Sequence, residues 1–299
     1  MSNEEGSGQE LLDLIKGFRR SKVLFTACKL KVFDTLKNGA VLTAEDVAGK
    51  INASVCGTEQ LLDACAALGL LERTERVGVV GYGNTELASL YLVSEGEHSL
   101  HGFVTHYNDH IWDLFTHLES AVQEGTNQFH RVSRRRADDS FKDSFYPSKE
   151  AQLQFTRAMH DLTKLGAHAV ATAFDLSGFT SACDLGGCTG ALAHRLVQEY
   201  PHLKVTVFDL PEIIELAPSF QPVGQQAARI SFMPAGGIVI LESTKRKQHR
   251  ATYPTGLWPK VLLISAKGRK RAPAEWQHGF QDVRVVHTGG LLDAVLATR

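Results

Sequence analysis

The segment 181–209 constrains the fold of this chain more than any other part of the sequence. A short run of small and apolar residues ends in Asp184, a glycine-rich turn follows at Gly186–Gly190, and an amphipathic segment follows the turn. The next apolar run, Val205–Phe208, ends in Asp209. This order of strand, acid, glycine loop, helix, strand and acid predicts an α/β domain with a parallel sheet.

The glycine loop and its two flanking acids predict a nucleoside cofactor site. Gly186, Gly187 and Gly190 carry no Cβ, so a cofactor can approach the loop backbone closely. Asp209 follows the loop by one helix and one strand, the position from which a carboxylate reaches ribose hydroxyls. Asp184 would repel a pyrophosphate and attract a cationic methionyl group, so the two acids favour S-adenosylmethionine over NAD. The glycines alone would suit any tight strand-to-helix turn.

Charge and composition argue against several other classes of function. A net charge of −1 gives no general attraction to nucleic acid or to an anionic membrane. The five cysteines form no CxxC pair and no zinc-like spacing, so no metal site is predicted. The sequence has no GxxxxGK(S/T) phosphate loop and no GxSxG elbow. A polar, acidic N-terminus and the lack of a membrane-length apolar run predict a cytoplasmic protein without a signal peptide.

The first hundred residues predict three helices and a hairpin, the pattern of a winged helix. Apolar residues at every fourth position place one helix at 24–36, and Thr43 with Asp46 has the spacing of a capping box for a second. A third helix is predicted at 58–68, with Thr58 as its cap. Two strands around a charged turn at Glu72–Arg76 complete the pattern.

Winged helices often bind DNA through the third helix, so that function has to be weighed. Here the third helix carries Glu59 and Asp63 and no Lys or Arg, whereas a groove-reading helix needs cations to meet phosphates. A dimerisation module is favoured over DNA binding. The sequence therefore predicts a dimerisation domain at residues 1–98 and a second domain at residues 99–299, which contains the α/β region.

Two motifs carry a family resemblance. They are the stretch 174–193, which includes Asp-Leu-Gly-Gly-Cys-Thr-Gly, and the stretch 204–212, which includes Phe-Asp-Leu-Pro. With further matches in the N-terminal part, they resemble the acetylserotonin O-methyltransferase family, and within it the methyltransferase part of the acetylserotonin O-methyltransferase-like branch. The resemblance is continuous over about residues 10–232 and is then broken, as in a shortened form.

The resemblance implies an α/β fold: a Rossmann-like class I S-adenosylmethionine methyltransferase domain, preceded by a mostly helical, winged-helix-like dimerisation domain. Such proteins form homodimers through interlocked N-terminal domains and methylate a hydroxyl of a small aromatic substrate, here of the hydroxyindole class. By resemblance, Asp209 holds the cofactor ribose, with Leu210 beside it, and Tyr146 flanks the cofactor. A second aromatic wall of the family, a tryptophan, falls at Thr163.

The family pattern breaks after the second strand. O-methyl transfer needs a base to accept the hydroxyl proton, and the family's Leu-His-Asp-Trp segment, whose histidine does this, is missing here. Only 26 residues, 210 to 235, separate Asp209 from Gly236–Ser243, which resembles the family's fifth strand. Each intervening strand with its crossover takes about 30 residues, so only a third strand, at Arg229–Phe232, can be accommodated. We expect an incomplete sheet of low stability, with exposed strand edges.

No catalytic residue is therefore assigned. The C-terminal histidines, His249, His278 and His287, have no spacing that places them over a methyl donor. Val261 and Ser265 stand where the family presents a substrate-binding Asn and Gln, and neither can replace an amide. Two functions stay open: an S-adenosylmethionine-dependent O-methyltransferase, or a catalytically inactive or shortened family member that acts by dimerisation or partner binding.

Overall fold

The chain divides into two units, residues 1–109 and residues 110–299. The computed structural model describes residues 2–133, 148–221, 224–234, 282–286 and 294–298. None of the helices in these parts of the chain is both long and apolar enough to cross a membrane.

The first unit contains six helices and a hairpin among its described residues. In chain order these elements are α1 Ser2–Lys29, α2 Val32–Thr35, α3 Ala44–Ile51, α4 Val55–Ala67, β1 Leu71–Arg76, β2 Val79–Asn84, α5 Glu86–Tyr91 and α6 His101–His106. The two strands are antiparallel, with Leu71 opposite Asn84 and Arg76 opposite Val79. Helices followed by an antiparallel hairpin confirm the predicted winged-helix-like pattern, with the first predicted helix divided into α1 and α2.

One apolar core joins the helices and the hairpin of the first unit. Its fully buried side chains include Ala27, Phe33, Leu36, Val47, Leu62, Cys65 and Tyr82. The Tyr82 hydroxyl donates to Asp63 Oδ1 of α4 over 2.7 Å, and Arg73 Nε lies 3.3 Å from the same oxygen. Asp63, one of the two acidic residues of the predicted third helix, thus has its partners within the unit.

Three local features differ from the sequence prediction. The helix predicted at 24–36 is interrupted at Lys31, whose φ of +60° no α-helix accommodates. Glu72–Arg76 forms β1 rather than a turn, because Val77 and Gly78 make a tight two-residue turn with φ of +53° and +76°. The third helix is capped by Ser54, which accepts the Gly57 N–H, and it therefore begins before the predicted Thr58 cap.

The capping box of the second predicted helix is confirmed. Thr43 N–H donates to Asp46 Oδ2, and Asp46 N–H donates to Thr43 Oγ1, both over 3.1 Å. These two bonds satisfy backbone donors that the first turn of α3 leaves without helical partners.

The second unit combines helices with a small parallel sheet. A π-helical turn at Tyr107–Ile111 leads to α7 Trp112–Phe115, α8 Leu118–Glu124, α9 Phe129–Ser133, α10 Lys149–Ala171, β3 Ser181–Leu185, α11 Ala191–Glu199, β4 Lys204–Asp209, α12 Pro211–Ile214 and β5 Ile230–Pro234. Short 3-10 turns lie at Ala217–Phe220 and Gln225–Arg229. Near the C-terminus, β6 Asp282–Val286 and β7 Ala294–Thr298 form an antiparallel pair.

The parallel sheet has the order β3-β4-β5 and positions the site. Val205 and Val207 of β4 are buried on one face, beside Val197 of α11. On the other face Leu185, Phe208 and Met233 are register neighbours; Leu185 is 65% exposed and Met233 50%. The three strands end at one edge, so Asp184 and Asp209 come close to the loop between β3 and α11.

Candidate functional site

The glycine loop turns the chain from β3 into α11 in a tight, hydrogen-bonded path. Gly186 N–H donates to the Phe208 carbonyl over 2.8 Å, which ties the loop to β4, and Gly190 N–H donates to the Gly187 carbonyl over 2.7 Å. The backbone has positive φ at Gly186 (+71°), at Cys188 (+52°) and at Gly190 (+79°). Glycine adopts such angles without cost, whereas Cys188 holds its angle under strain.

Two loop glycines are tightly packed against other side chains of the unit. A Cβ on Gly187 would lie 2.5 Å from both Cγ and Oδ2 of Asp184. A Cβ on Gly190 would lie 3.0 Å from the Phe232 ring, and φ is also unfavourable there. Packing within the unit therefore favours glycine at both positions, and close approach of a cofactor to this backbone stays a prediction.

Asp209 is held at the end of β4 by the backbone of the loop. Its Oδ2 accepts the Cys188 N–H over 2.8 Å, and its Oδ1 accepts the Leu210 N–H over 2.7 Å. The residue is only 5% exposed, and burial raises the pKa of its carboxyl. Because each carboxylate oxygen has two acceptor positions, one per oxygen remains for a hydroxyl donor.

Asp184 has the more unusual environment of the two acids. Its Oδ2 is buried and accepts no hydrogen bond from the described residues. Burial, with repulsion from Asp209 as the smaller cause, raises the pKa of Asp184 to about 6. A buried, unpaired carboxylate oxygen is costly, and a bound cation or N–H donor would relieve that cost.

The structure brings most of the predicted site residues together. Asp184, the loop glycines and Asp209 converge at one edge of the sheet, and Leu210 contributes its N–H to the Asp209 carboxylate. Tyr146 lies outside the described residues, so its predicted place beside the cofactor stays a prediction. Thr163 lies on α10 and is half-buried. The candidate C-terminal histidines, Val261, Ser265 and the strand predicted at Gly236–Ser243 also lie outside the described residues.

Sequence reasoning missed a histidine that reaches the loop. Nδ1 of His160, on α10, lies 2.7 Å from Oγ1 of Thr189, a loop residue that is 1% exposed. Burial lowers the pKa of His160 to about 4, too low for a general base near neutral pH. Across the described ranges, no three His, Cys, Asp or Glu side chains form a group that could hold a metal ion.

The geometry specifies the kind of ligand that this edge accepts. The glycine loop provides close backbone access, Asp209 offers acceptors for hydroxyls, and Asp184 presents a buried anionic oxygen. Two carboxylates next to the loop oppose phosphates and favour a ligand that carries a positive charge and hydroxyl groups. These features fit the sulfonium nucleoside predicted from the sequence.

Family models match both units of the chain. Residues 12–94 match the O-methyltransferase dimerisation domain, and residues 115–236 match the O-methyltransferase domain. The second match ends at Gly236, at the junction where the sequence predicts that a segment is missing.

Individual relatives extend the comparison. Bovine acetylserotonin O-methyltransferase is 33% identical, with 100% of both chains covered. A human protein named "probable bifunctional dTTP/UTP pyrophosphatase/methyltransferase" is 48% identical over 97% of this chain, which spans only 53% of that protein's length. The crystal structure of human N-acetylserotonin methyltransferase in complex with S-adenosylmethionine has a TM-score of 0.88 at 31% identity, covering 100% of this chain and 99% of that one.

The sequence alignments are longer than the chain itself. The bovine alignment runs over 347 positions, so at least 48 of them (347 less 299) have no residue in this chain. In the alignment with the human bifunctional protein, which runs over 335 positions, the number is at least 36 (335 less 299). A missing internal segment, as inferred from the short interval after Asp209, predicts such gaps.

Proposed function

The chain belongs to the acetylserotonin O-methyltransferase family, and on that premise we propose that it binds S-adenosylmethionine at the glycine loop. The observation that carries this proposal is the buried Oδ2 of Asp184 beside the glycine loop, an acceptor that receives no hydrogen bond from the described residues. A site built to bind a positively charged nucleoside accounts for this carboxylate. A loop that served only the fold would gain no stability from a buried carboxylate without a hydrogen-bond partner.

The residues would hold the cofactor through separate groups. Asp209 would accept the ribose hydroxyls on the acceptor positions that Cys188 and Leu210 leave free. Asp184 would favour the positive charge of the ligand, while Gly186, Gly187 and Gly190 would let the ligand approach the backbone. Tyr146 would flank it. When bound, S-adenosylmethionine supplies an electrophilic methyl group on a sulfonium.

Isothermal titration with S-adenosylhomocysteine, the product form of the cofactor, tests the proposal. We expect saturable binding by the wild type and at least tenfold weaker binding by Asp209→Ala, because a charge-assisted hydrogen bond is worth about 1.5–3 kcal/mol. Asp175→Ala is the matched control, since Asp175 is an exposed aspartate of the same unit that accepts the Ser177 N–H over 2.9 Å. Absence of binding heat from the folded wild type would remove the cofactor claim.

We also propose that the N-terminal domain, residues 1–98, makes the protein a homodimer. Leu11, Leu14, Ile15 and Phe18 recur at helical spacing on α1, and each is more than half exposed. Such an apolar stripe is unfavourable in water and typical of a helix that pairs with a partner. The stripe starts where the dimerisation-domain match begins, near residue 12.

Light scattering coupled to size exclusion tests this assembly. The wild type should elute with a dimer's mass, and a Leu14→Glu/Phe18→Glu protein should elute as a monomer with unchanged circular dichroism. Exchange of two polar residues, Gln9→Glu and Asp13→Asn, serves as the control on the same helix. A wild type that is monomeric at micromolar concentrations would refute the assembly.

The reaction that this site would serve is methyl transfer to a hydroxyl of a small aromatic molecule, of the hydroxyindole class. The hydroxyl oxygen would accept the methyl group as the methyl–sulfur bond breaks, S-adenosylhomocysteine would leave with the electron pair of that bond, and the hydroxyl proton would pass to a base. The His160 ring contacts Thr189 of the loop, and it is a poor base because burial lowers its pKa to about 4. We therefore propose a cofactor site formed by the described residues and assign no catalytic base among them.

A second candidate function is a dimer that binds the cofactor without turnover. Two observations favour this second candidate: the interval 210–235 is short, and the bovine alignment contains positions that have no residue in this chain. Transfer of a radiolabelled methyl group from S-adenosylmethionine to a panel of hydroxyindoles distinguishes the two functions. Turnover that Asp209→Ala abolishes would establish the enzyme and exclude the second candidate. Cofactor binding without turnover would support the second candidate, and sequencing the transcript across Phe232–Gly237 would show whether a segment has been skipped.

A further inference from the structure

Thr189, in the second half of the glycine loop, is held from two directions by residues distant in sequence. Nδ1 of His160, on α10, lies 2.7 Å from the Thr189 hydroxyl. Nε2 of Gln221, which follows the 3-10 turn after α12, donates to the Thr189 carbonyl over 3.0 Å. The side chain and the backbone of one loop residue are thus both fixed.

Gln221 is itself fixed in a single orientation. Its Nε2 also donates to the Ala217 carbonyl over 3.0 Å, so its Oε1 must be the group that faces Nε2 of His194 at 2.8 Å. Because Oε1 can only accept, His194 carries its proton on Nε2 and donates it. His194 belongs to α11, the helix that continues from the loop, and is 8% exposed. Gln221 therefore links Thr189 to the first turns of α11.

His160 and Gln221 also act as neighbours. The His160 ring packs against the Phe220 ring with centroids 5.1 Å apart, and Phe220 immediately precedes Gln221. Burial keeps His160 uncharged near neutral pH, so its ring can pack on Phe220 while Nδ1 faces Thr189. We define His160, Gln221 and their contacts to Thr189 as the loop brace.

The loop contains a strained residue that such a brace would hold. Cys188 has φ of +52°, an angle that costs a non-glycine residue of order 1 kcal/mol or more and persists only where the surroundings enforce it. The same residue donates its N–H to Asp209, the proposed ribose ligand. Fixing Thr189 directly after Cys188 keeps that N–H on the carboxylate.

We propose that His160 and Gln221 are positioning residues for the cofactor loop, holding Cys188 and Asp209 in the arrangement that binds the nucleoside. This inference rests on the proposed function for the identity of the ligand. The arrangement of the loop does not depend on it. Neither residue is assigned a contact with the cofactor. Their effect would pass through Thr189.

Paired substitutions separate the hydrogen bond from the packing. His160→Phe keeps a ring for Phe220 and removes the partner of the Thr189 hydroxyl, whereas His160→Asn keeps a polar group near the position of Nδ1. Thr189→Val removes the hydroxyl with little change in shape, and Thr189→Ser keeps it. Should His160→Phe fail to fold, the Thr189 pair still tests the brace.

The first measurement is the affinity for S-adenosylhomocysteine. Since a net hydrogen bond is worth about 1 kcal/mol, His160→Phe and Thr189→Val should each weaken binding roughly fivefold to tenfold. The double variant should be no weaker than either single one, because both remove the same contact. His160→Asn and Thr189→Ser should stay within about twofold of the wild type. A merely structural role would lower the melting temperature and leave the affinity unchanged, and that result would overturn the proposal.

The second measurement needs no ligand. Hydrogen exchange of the ligand-free protein should be faster in the loop peptide 186–190 for His160→Phe and Thr189→Val, with α11 unchanged beyond its first turn. If loop exchange and affinity in His160→Phe and Thr189→Val both equal those of the wild type, the loop brace is refuted and the proposed function is unaffected. Faster loop exchange in a protein whose wild type binds no S-adenosylhomocysteine would refute the proposed function and leave the brace standing.

Discussion

Replacing Asp184 by Asn should stabilise the ligand-free protein at neutral pH and weaken cofactor binding at the same time. Burial and the nearby Asp209 raise the pKa of Asp184 from its ordinary 3.8 to about 6. That rise corresponds to a penalty of roughly 3 kcal/mol on the ionised form. Asn removes the charge and keeps the shape, so most of that penalty should be relieved, although one buried polar atom stays unpaired.

The sign of the pH dependence follows from the raised pKa. The folded state holds the Asp184 proton more tightly than the unfolded chain does, so this group's stabilising contribution is complete below pH 3.8 and is lost as the pH rises through about 6. The Asp184→Asn protein lacks this pH-dependent contribution to the free energy of unfolding. Asp209, whose pKa is also raised, acts in the same direction in both proteins, so the difference between their curves reports the ionisation of Asp184 together with its repulsion from Asp209.

Urea unfolding of the two proteins between about pH 4 and pH 8 measures this difference. All three tryptophans (Trp112, Trp258 and Trp276) belong to residues 110–299, so their fluorescence reports on the second unit. We expect similar stability near pH 4, a more stable variant near pH 7.5, and at least tenfold weaker binding of S-adenosylmethionine, which carries the sulfonium charge, by the variant. A stability difference that does not vary with pH would refute the reasoning, and unchanged affinity would refute the ligand role of Asp184.

Three other changes test separate parts of the structure. Gly187→Ala would place a Cβ 2.5 Å from the Asp184 carboxyl, so thermal denaturation should show a lower melting temperature and titration a loss of cofactor binding; retention of both would contradict the steric argument. Thr43→Ala should cost about 1 kcal/mol by calorimetry without altering cofactor affinity, and an altered affinity would contradict the local role of the capping box. The double variant Leu185→Lys/Met233→Lys should aggregate less on heating, as measured by light scattering, because both side chains are at least half exposed on one sheet face. Equal aggregation of the variant and the wild type would contradict this role of the sheet face.

Features set by neighbouring residues could be predicted from the sequence. The capping box of Thr43 and Asp46 and the helix after Gly190 depend on groups three or four positions apart. The strands that end in Asp184 and Asp209 also lie where the apolar runs place them, because those runs are short and bounded by an acid on one side. The family pattern added the cofactor class, which the glycines alone leave open.

Features without a local signal could not be predicted. Lys31 and Val77 adopt positive φ although neither residue type favours it, so the helix break and the true hairpin turn were both missed. Thr58 is a good cap by residue type, but Ser54 lies earlier and takes that role. The contacts of Thr189 with His160 and Gln221 join residues 29 and 32 positions apart, and no periodicity encodes such a pairing.

In the family pattern, the residues proposed here for the cofactor and the segment that carries the base come from separate stretches of sequence, and they can therefore be lost separately. Among the described residues, the hydrogen bonds that hold Asp209 and Thr189 join residues between His160 and Gln221. The histidine segment that serves as the family's base falls after β5, beyond all of these contacts. A shortened chain thus keeps the hydrogen bonds that hold Asp209 and the loop in place. Selection on binding alone would preserve these residues, whereas selection on turnover would also have to preserve the base.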